Sequence, residues 1–167
     1  MNLLKQILLC PYKWLNSIKH KLICRRFSEC GNNLEVCGFP KISCPSRIKV
    51  GANVNLNDGC VLNATESSIC IGNNCTVSAN AMVIAATLDV EDYVYHHIKR
   101  HISKPVHIGD NVWICAGAII CPGVRIVGGV IIAAGAVVTK DIEEENVLVA
   151  GNPAKIVKRY NQYIFTD

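Results

Sequence analysis

Residues 112–138 read VWICAGAIICPGVRIVGGVIIAAGAVV, apolar throughout except for Arg125, and a hydropathy window alone would set this stretch in a membrane. Its glycines, however, fall at 117, 123, 129 and 135, one every six residues. Six is neither the helical period of 3.6 nor the strand period of 2. A fixed period of this kind marks a repeat, and a repeat takes precedence over any local reading.

Writing the chain in sixes extends the pattern in both directions. Val50, Leu56, Leu62, Ile71, Val77 and Val83 fall in one column with Ile108, Ile114, Ile120, Ile126, Ile132 and Val138, all aliphatic. Four places later stand small residues: Val54, Cys60, Cys75, Ala81, Thr87, Val112, Ala118, Val124, Val130 and Ala136. Between the two columns come Asn53, Gly59, Asn74, Asn80 and Asn111, then the four glycines, which are the residue types that tolerate left-handed backbone angles. One inward aliphatic, one turn-former and one small residue per six describe a triangular parallel β-solenoid. Three hexads make a turn of about 18 residues, successive turns pair at about 4.8 Å, and the aliphatics stack into a continuous core. A β-sandwich would instead alternate with a period of two between turns.

Composition agrees. Half of the 167 residues are hydrophobic but only 6% are aromatic, so the core is built from branched aliphatics, alanine and cysteine. Seventeen basic against thirteen acidic residues is a modest excess, suited to an anionic small molecule or a membrane surface and not to a nucleic acid. The ten cysteines form no CxxC pair and read as reduced thiols in a cytoplasmic protein, with no metal site expected. The apolar residues 3–9 are interrupted by Lys5 and Gln6 and stopped by Pro11, too short to span a bilayer.

At this point a resemblance becomes specific. The segments Ile108-Gly109-Asp110-Asn111-Val112-Trp113-Ile114, Pro122-Gly123-Val124, Gly135-Ala136-Val137-Val138-Thr139-Lys140-Asp141 and Ala150-Gly151-Asn152-Pro153-Ala154-Lys155 resemble the hexapeptide-repeat acyltransferases. The similarity is to the galactoside and maltose O-acetyltransferases and to those of surface-polysaccharide pathways. It implies an all-β fold, a left-handed parallel β-helix, assembled as a homotrimer that binds acetyl-CoA as acyl donor between neighbouring solenoids. Trp113 matches an aromatic lining that groove, and the backbone at Ala116 and Ala134 matches the stretch along the pantetheine arm. Thr139 and Lys140 fall at cofactor contacts, and Lys155 and Lys158 where basic side chains approach its phosphates. Asn57 matches an asparagine that contacts the acceptor.

Transfer from a thioester to a hydroxyl needs a general base and donors for the oxyanion. The family's catalytic histidine precedes a long excursion from the solenoid, and the matching residue here is Leu88, which accepts no proton. The excursion over residues 89–105 carries His96, His97 and His101, with His107 just beyond, and these are the candidate bases. An amine acceptor that needs little base, or an inactive scaffold, would also accommodate Leu88. Asp89, Glu91 and Asp92 could orient a histidine or bind an acceptor, and Asp89 is taken as the substrate candidate. The same four histidines would be the ligands if the chain were instead a carbonic-anhydrase-like relative, against which the segment Gly151 to Lys155 argues.

The ends are read as helical. Residues 1–28 hold Lys5, Lys13, Lys19, Lys21, Arg25 and Arg26, with no acidic residue, and space Trp14, Ile18 and Leu22 as a helix does. Such a basic amphipathic segment would cap the solenoid or rest on the inner face of a membrane. Residues 29–151 are assigned to the β-helix and 152–167 to a short helical tail. The expected activity is acetyl-CoA-dependent O-acetylation of a sugar, sugar-nucleotide or lipid-linked saccharide in bacterial surface-polysaccharide synthesis, with N-acetylation of an amino-sugar as the alternative.

Overall fold

The computed structural model describes residues 21–161. The solenoid is built coil by coil. Coil 1 holds β1 (Glu29–Cys30), β2 (Glu35–Val36) and β3 (Lys41–Ser43); coil 2 holds β4 (Ile48–Val50), β5 (Asn55–Leu56) and β6 (Val61–Asn63). Coil 3 holds β7 (Ile69–Ile71), β8 (Thr76–Val77) and β9 (Met82–Ile84). An arm then leaves and returns as β10 (Ala86–Leu88), helix α1 (Val90–His96) and β11 (His101–Ser103). Coil 4 holds β12 (Val106–Ile108), β13 (Trp113–Ile114) and β14 (Ile119–Ile120); coil 5 holds β15 (Arg125–Ile126), β16 (Ile131–Ile132) and β17 (Val137–Val138). The chain closes with β18 (Val147–Ala150) and β19 (Lys155–Arg159).

These strands form three parallel faces. Face A runs β1-β4-β7-β12-β15, face B runs β2-β5-β8-β13-β16-β18 and ends on the antiparallel β19, and face C runs β3-β6-β9-β14-β17. The twelve aliphatics of the hexad column all lie inside, none more than 4% exposed, and each stacks on its counterpart a coil away. The small column is buried with them, except for Thr87. That residue is exposed because the chain has already left the solenoid at Ala85, and Thr87 pairs with Ile102 inside the arm. Face A buries a second residue per coil, Ile48, Ile69 and Val106, since its three-residue strands alternate in, out, in. No polar or charged side chain is buried among the described residues.

The corners explain the Asn and Gly column. Asn53, Asn74, Asn80 and Asn111 all have φ between 54° and 57°, and Gly59, Gly117, Gly123, Gly129 and Gly135 are likewise positive. At the corner between faces A and B, the side-chain amides of Asn33, Asn53, Asn74 and Asn111 form a ladder. Each amide N–H donates to the carbonyl oxygen of the next, at 3.0, 2.9 and 3.1 Å. Asparagine therefore supplies both the backbone angle and a bond along the axis. Two residues earlier in the same turns, Gly51 and Gly72 approach so closely that a Cβ on Gly51 would lie 2.6 Å from the Gly72 carbonyl carbon.

The described part of the expected helical tail is a strand instead: Lys155–Arg159 pairs antiparallel with β18, and residues 162–167 lie outside the described residues. The open edge of face B offers unpaired backbone groups, and the β-branched Ile156 and Val157 suit a strand, so the edge captures the segment. Of the N-terminal basic helix, residues 21–24 are helical and Phe27 enters the core, while residues 1–20 lie outside the described residues, as do Tyr163 and Phe165. No helix among the described residues is long and apolar enough to cross a membrane.

Leu62→Ala, which empties a fully buried position, is expected to cost about 2–5 kcal/mol in urea unfolding. Gly117→Ala, where a Cβ meets no atom within 4 Å but φ is +68°, is expected to cost only about 1–2 kcal/mol. Equal losses would mean that corner strain, and not the stacked core, sets the stability.

Candidate active site

The corner between faces B and C carries Ala116, Ala134 and Asn57 of the expected groove, with Trp113 beside it on face B. Trp113 stands outward on β13, 44% exposed, and its indole Nε1–H donates to Ser78 Oγ at 3.0 Å, which fixes the ring over the coil below. Ala116 and Ala134 occupy the same corner in coils 4 and 5, joined by a bond from Gly135 N–H to the Ala116 carbonyl at 3.0 Å. A Cβ on Gly117 or Gly135 would meet nothing within 4 Å, so this edge borders open space. Asn57 lies on the corner in coil 2, half-buried, its N–H donating to Val77 O at 2.9 Å. Ser78 was not singled out from the sequence, although it follows Val77 in the aliphatic column just as Cys115 follows Ile114, and that register was the available signal.

The C-terminal end supplies the charge. Thr139 and Lys140 follow β17, and Lys140 shares with Lys155 a cavity of about 420 Å³, lined also by Asp141, Glu143, Glu144 and Ala154. Glu144 is already held by Arg159 through two bonds of 2.6 and 3.1 Å. Lys158 does not line this cavity; its ammonium lies 4.9 Å from the centre of the Tyr160 ring.

The four candidate histidines are dispersed. His96 ends α1, His97 caps it in a left-handed conformation, and His101 lies on β11, all exposed on the arm. In the arm hairpin His101 pairs directly with Leu88, so the two side chains share one face, about 5 Å apart at Cβ. A histidine thus stands one strand away from the position where the resemblance places the base. His107 is elsewhere, outward on face A between Cys70 and Arg125, so within one chain it and Trp113 lie on different faces. Asp89 caps α1, its carboxylate accepting from Asp92 N–H at 3.1 Å, and Asp92 in turn pairs with Arg100 at 2.9 Å. That capping role uses one oxygen of the carboxylate that the sequence reading offered to substrate. No group of three or more His, Cys, Asp or Glu side chains among the described residues could hold a metal ion.

No family model matches the chain. Galactoside O-acetyltransferase of Escherichia coli strain K12, in contrast, is 33% identical over 157 residues, covering 89% of this chain and 74% of that protein. The chain belongs to the hexapeptide-repeat acetyltransferase family. Among solved structures, a maltose O-acetyltransferase from Clostridium difficile 630 superposes with a TM-score of 0.78 at 31% identity, covering 86% of this chain and 75% of that one. A galactoside acetyltransferase in complex with coenzyme A does so with 0.76 at 31% identity, covering 89% and 74%. This family member therefore has the left-handed β-helix fold. It is 43% identical over 111 residues to a putative acetyltransferase of Dictyostelium discoideum, but spans only 57% of that protein.

Several thiols of the acetyltransferase chain are held in the neutral form by burial. Burial pushes Cys60 up to about 12 and Cys75 up to about 11, and it raises Cys115, at the corner between faces B and C of coil 4, and Cys121, at that coil's next corner. A cysteine acyl-enzyme is therefore disfavoured at the groove. The folded chain holds these protons more tightly than an unfolded chain with thiols near 9, so stability should fall as pH rises from about 9 toward 12. In native protein at pH 8, exposed Cys37 and Cys44 should be alkylated by iodoacetamide well before Cys60 and Cys75, as peptide mass spectrometry would read. Early modification of Cys60 would contradict the burial that raises it.

Proposed function

We propose that the chain moves an acetyl group from acetyl-CoA to a saccharide hydroxyl in a groove between two copies of itself. The observation that carries this reading is the open edge at Ala116 and Ala134 beside the exposed, hydrogen-bonded Trp113. A long flexible acyl carrier fits such an edge, and Lys140 and Lys155 at its C-terminal end suit a phosphate-bearing group. The relatives named as galactoside and maltose O-acetyltransferases support a sugar acceptor.

Two surfaces support an assembly of several copies, taken as a homotrimer. Val61, Met82, Ile119 and Val137 form an outward apolar row along face C, only partly buried in the single chain. The arm adds exposed Val90, Tyr93, Val94, Tyr95 and Ile98. Apolar area of this extent suits burial against another copy. In the groove so formed, the hydroxyl oxygen attacks the thioester carbonyl while its proton passes to the base, and the tetrahedral oxyanion collapses to an ester and a thiolate that recovers a proton. We assign the base to His101, which the hairpin sets beside Leu88. Backbone N–H groups of the corner are available to an oxyanion only where the coil ladder does not use them. A cytoplasmic site of action in surface-polysaccharide synthesis, with membrane contact through residues 1–28, belongs to the same reading.

Calorimetric titration of acetyl-CoA should give micromolar-range binding that Lys155→Glu weakens by about tenfold or more. His101→Ala should lower the rate of acetylation of a saccharide panel, read by mass spectrometry, by about 10²- to 10⁴-fold while leaving acetyl-CoA binding unchanged. The product should be an ester, lost in mild alkali. Absence of acetyl-CoA binding by folded protein would make the chain an inactive scaffold, and a silent His101→Ala would move the base elsewhere.

A further inference from the structure

The corner between faces C and A holds a second cavity, at the root of the arm and on a different side of the coil from Trp113. Its volume is about 580 Å³, within the range of about 300–1,000 Å³ that takes a small organic ligand. Successive coils build it. Ser46 and Arg47 come from the short 3-10 turn that leads into β4, Lys49 points outward from β4, and Glu66, Ser67 and Ser68 lead into β7. Pro105, where the arm rejoins the solenoid, supplies an apolar wall.

Charges in the cavity are unevenly committed. Lys49 is taken by Glu29 at 2.5 Å, and Glu66 accepts from Ser103 Oγ of β11 at 3.1 Å. Arg47 has no ion-pair partner among the described residues, so its guanidinium is the group left to meet a ligand. The planar guanidinium binds carboxylate and phosphate groups through paired N–H donors, and serine hydroxyls both donate and accept, as sugar hydroxyls require. The outward row of face A continues from Lys49 and Cys70 to His107, one strand spacing of about 4.8 Å beyond the cavity lining.

We infer that this cavity binds an anionic hexose unit of the acceptor, its carboxylate or phosphate on Arg47 and its hydroxyls on Ser46, Ser67 and Ser68. The inference rests on the transferase reading and adds an acceptor class to it. The bond from Ser103 to Glu66 joins the cavity wall to the strand that carries His101, two residues away. An acceptor seated here is therefore anchored next to the arm.

The test uses the full chain with four probes followed by ligand-observed NMR and calorimetry: galacturonic acid, galactose 1-phosphate, galactose and inorganic phosphate. At least one anionic hexose should bind about tenfold or more tightly than galactose and than inorganic phosphate. Arg47→Gln should abolish that preference, and Arg47→Lys, which keeps the charge without the fork, should retain part of it. Acetyl-CoA binding should be the same in all three proteins, which also reports that the variants are folded. Equal binding of galactose, binding of phosphate as tight as galactose 1-phosphate, no sugar binding at all, or a preference that survives Arg47→Gln would each overturn the inference. If acetyl-CoA binds in every case, the transferase reading stands regardless; if it binds in none, that reading has failed separately.

Discussion

Every inward side chain of this molecule has to stack on its counterpart one coil away, inside a triangle too narrow for more than about two side chains per strand. That constraint selects Ile, Leu and Val along the faces and Val, Cys and Ala beneath the corners, and it leaves no interior space for polar groups. Chemistry is thereby forced outward. Trp113, Asn57, Lys140, Arg47 and the arm histidines all project from faces, corners or the arm.

The hexad column was legible because it depends on one-dimensional spacing, and all twelve of its members are buried. The Asn and Gly positions were legible for the same reason, each adopting positive φ. Thr87 broke the column because spacing does not reveal where a chain abandons its repeat. The tail was misjudged on a different ground. Residues 154–160 have a spacing compatible with an amphipathic helix, and only the free edge of β18 decides for a strand. Such tertiary capture has no local signature.

The site was partly legible. The family resemblance singled out Trp113, Ala116, Ala134 and Asn57; in the structure the last three lie on the corner between faces B and C, and Trp113 on the adjoining face B. Spacing could not sort the four histidines, since three ride on the arm and one on face A, and the arm obeys no period. The antiparallel register of β10 with β11 separates His101 from the others by setting it opposite Leu88. Asp89 illustrates a second role that spacing hides: one oxygen of its carboxylate caps the first turn of α1.

The asparagine ladder carries a consequence for how such a molecule can diversify. Asn53 bonds to Asn74 across 21 residues of chain, and Asn74 bonds to Asn111 across 37, with nearly the same geometry. The solenoid thus registers the arm only as a longer loop. Closing that loop costs less than about 0.6 kcal/mol more, since the length is not even doubled. The arm is in effect a cassette clipped between two coils, and its sequence can be exchanged without the scaffold having to re-evolve.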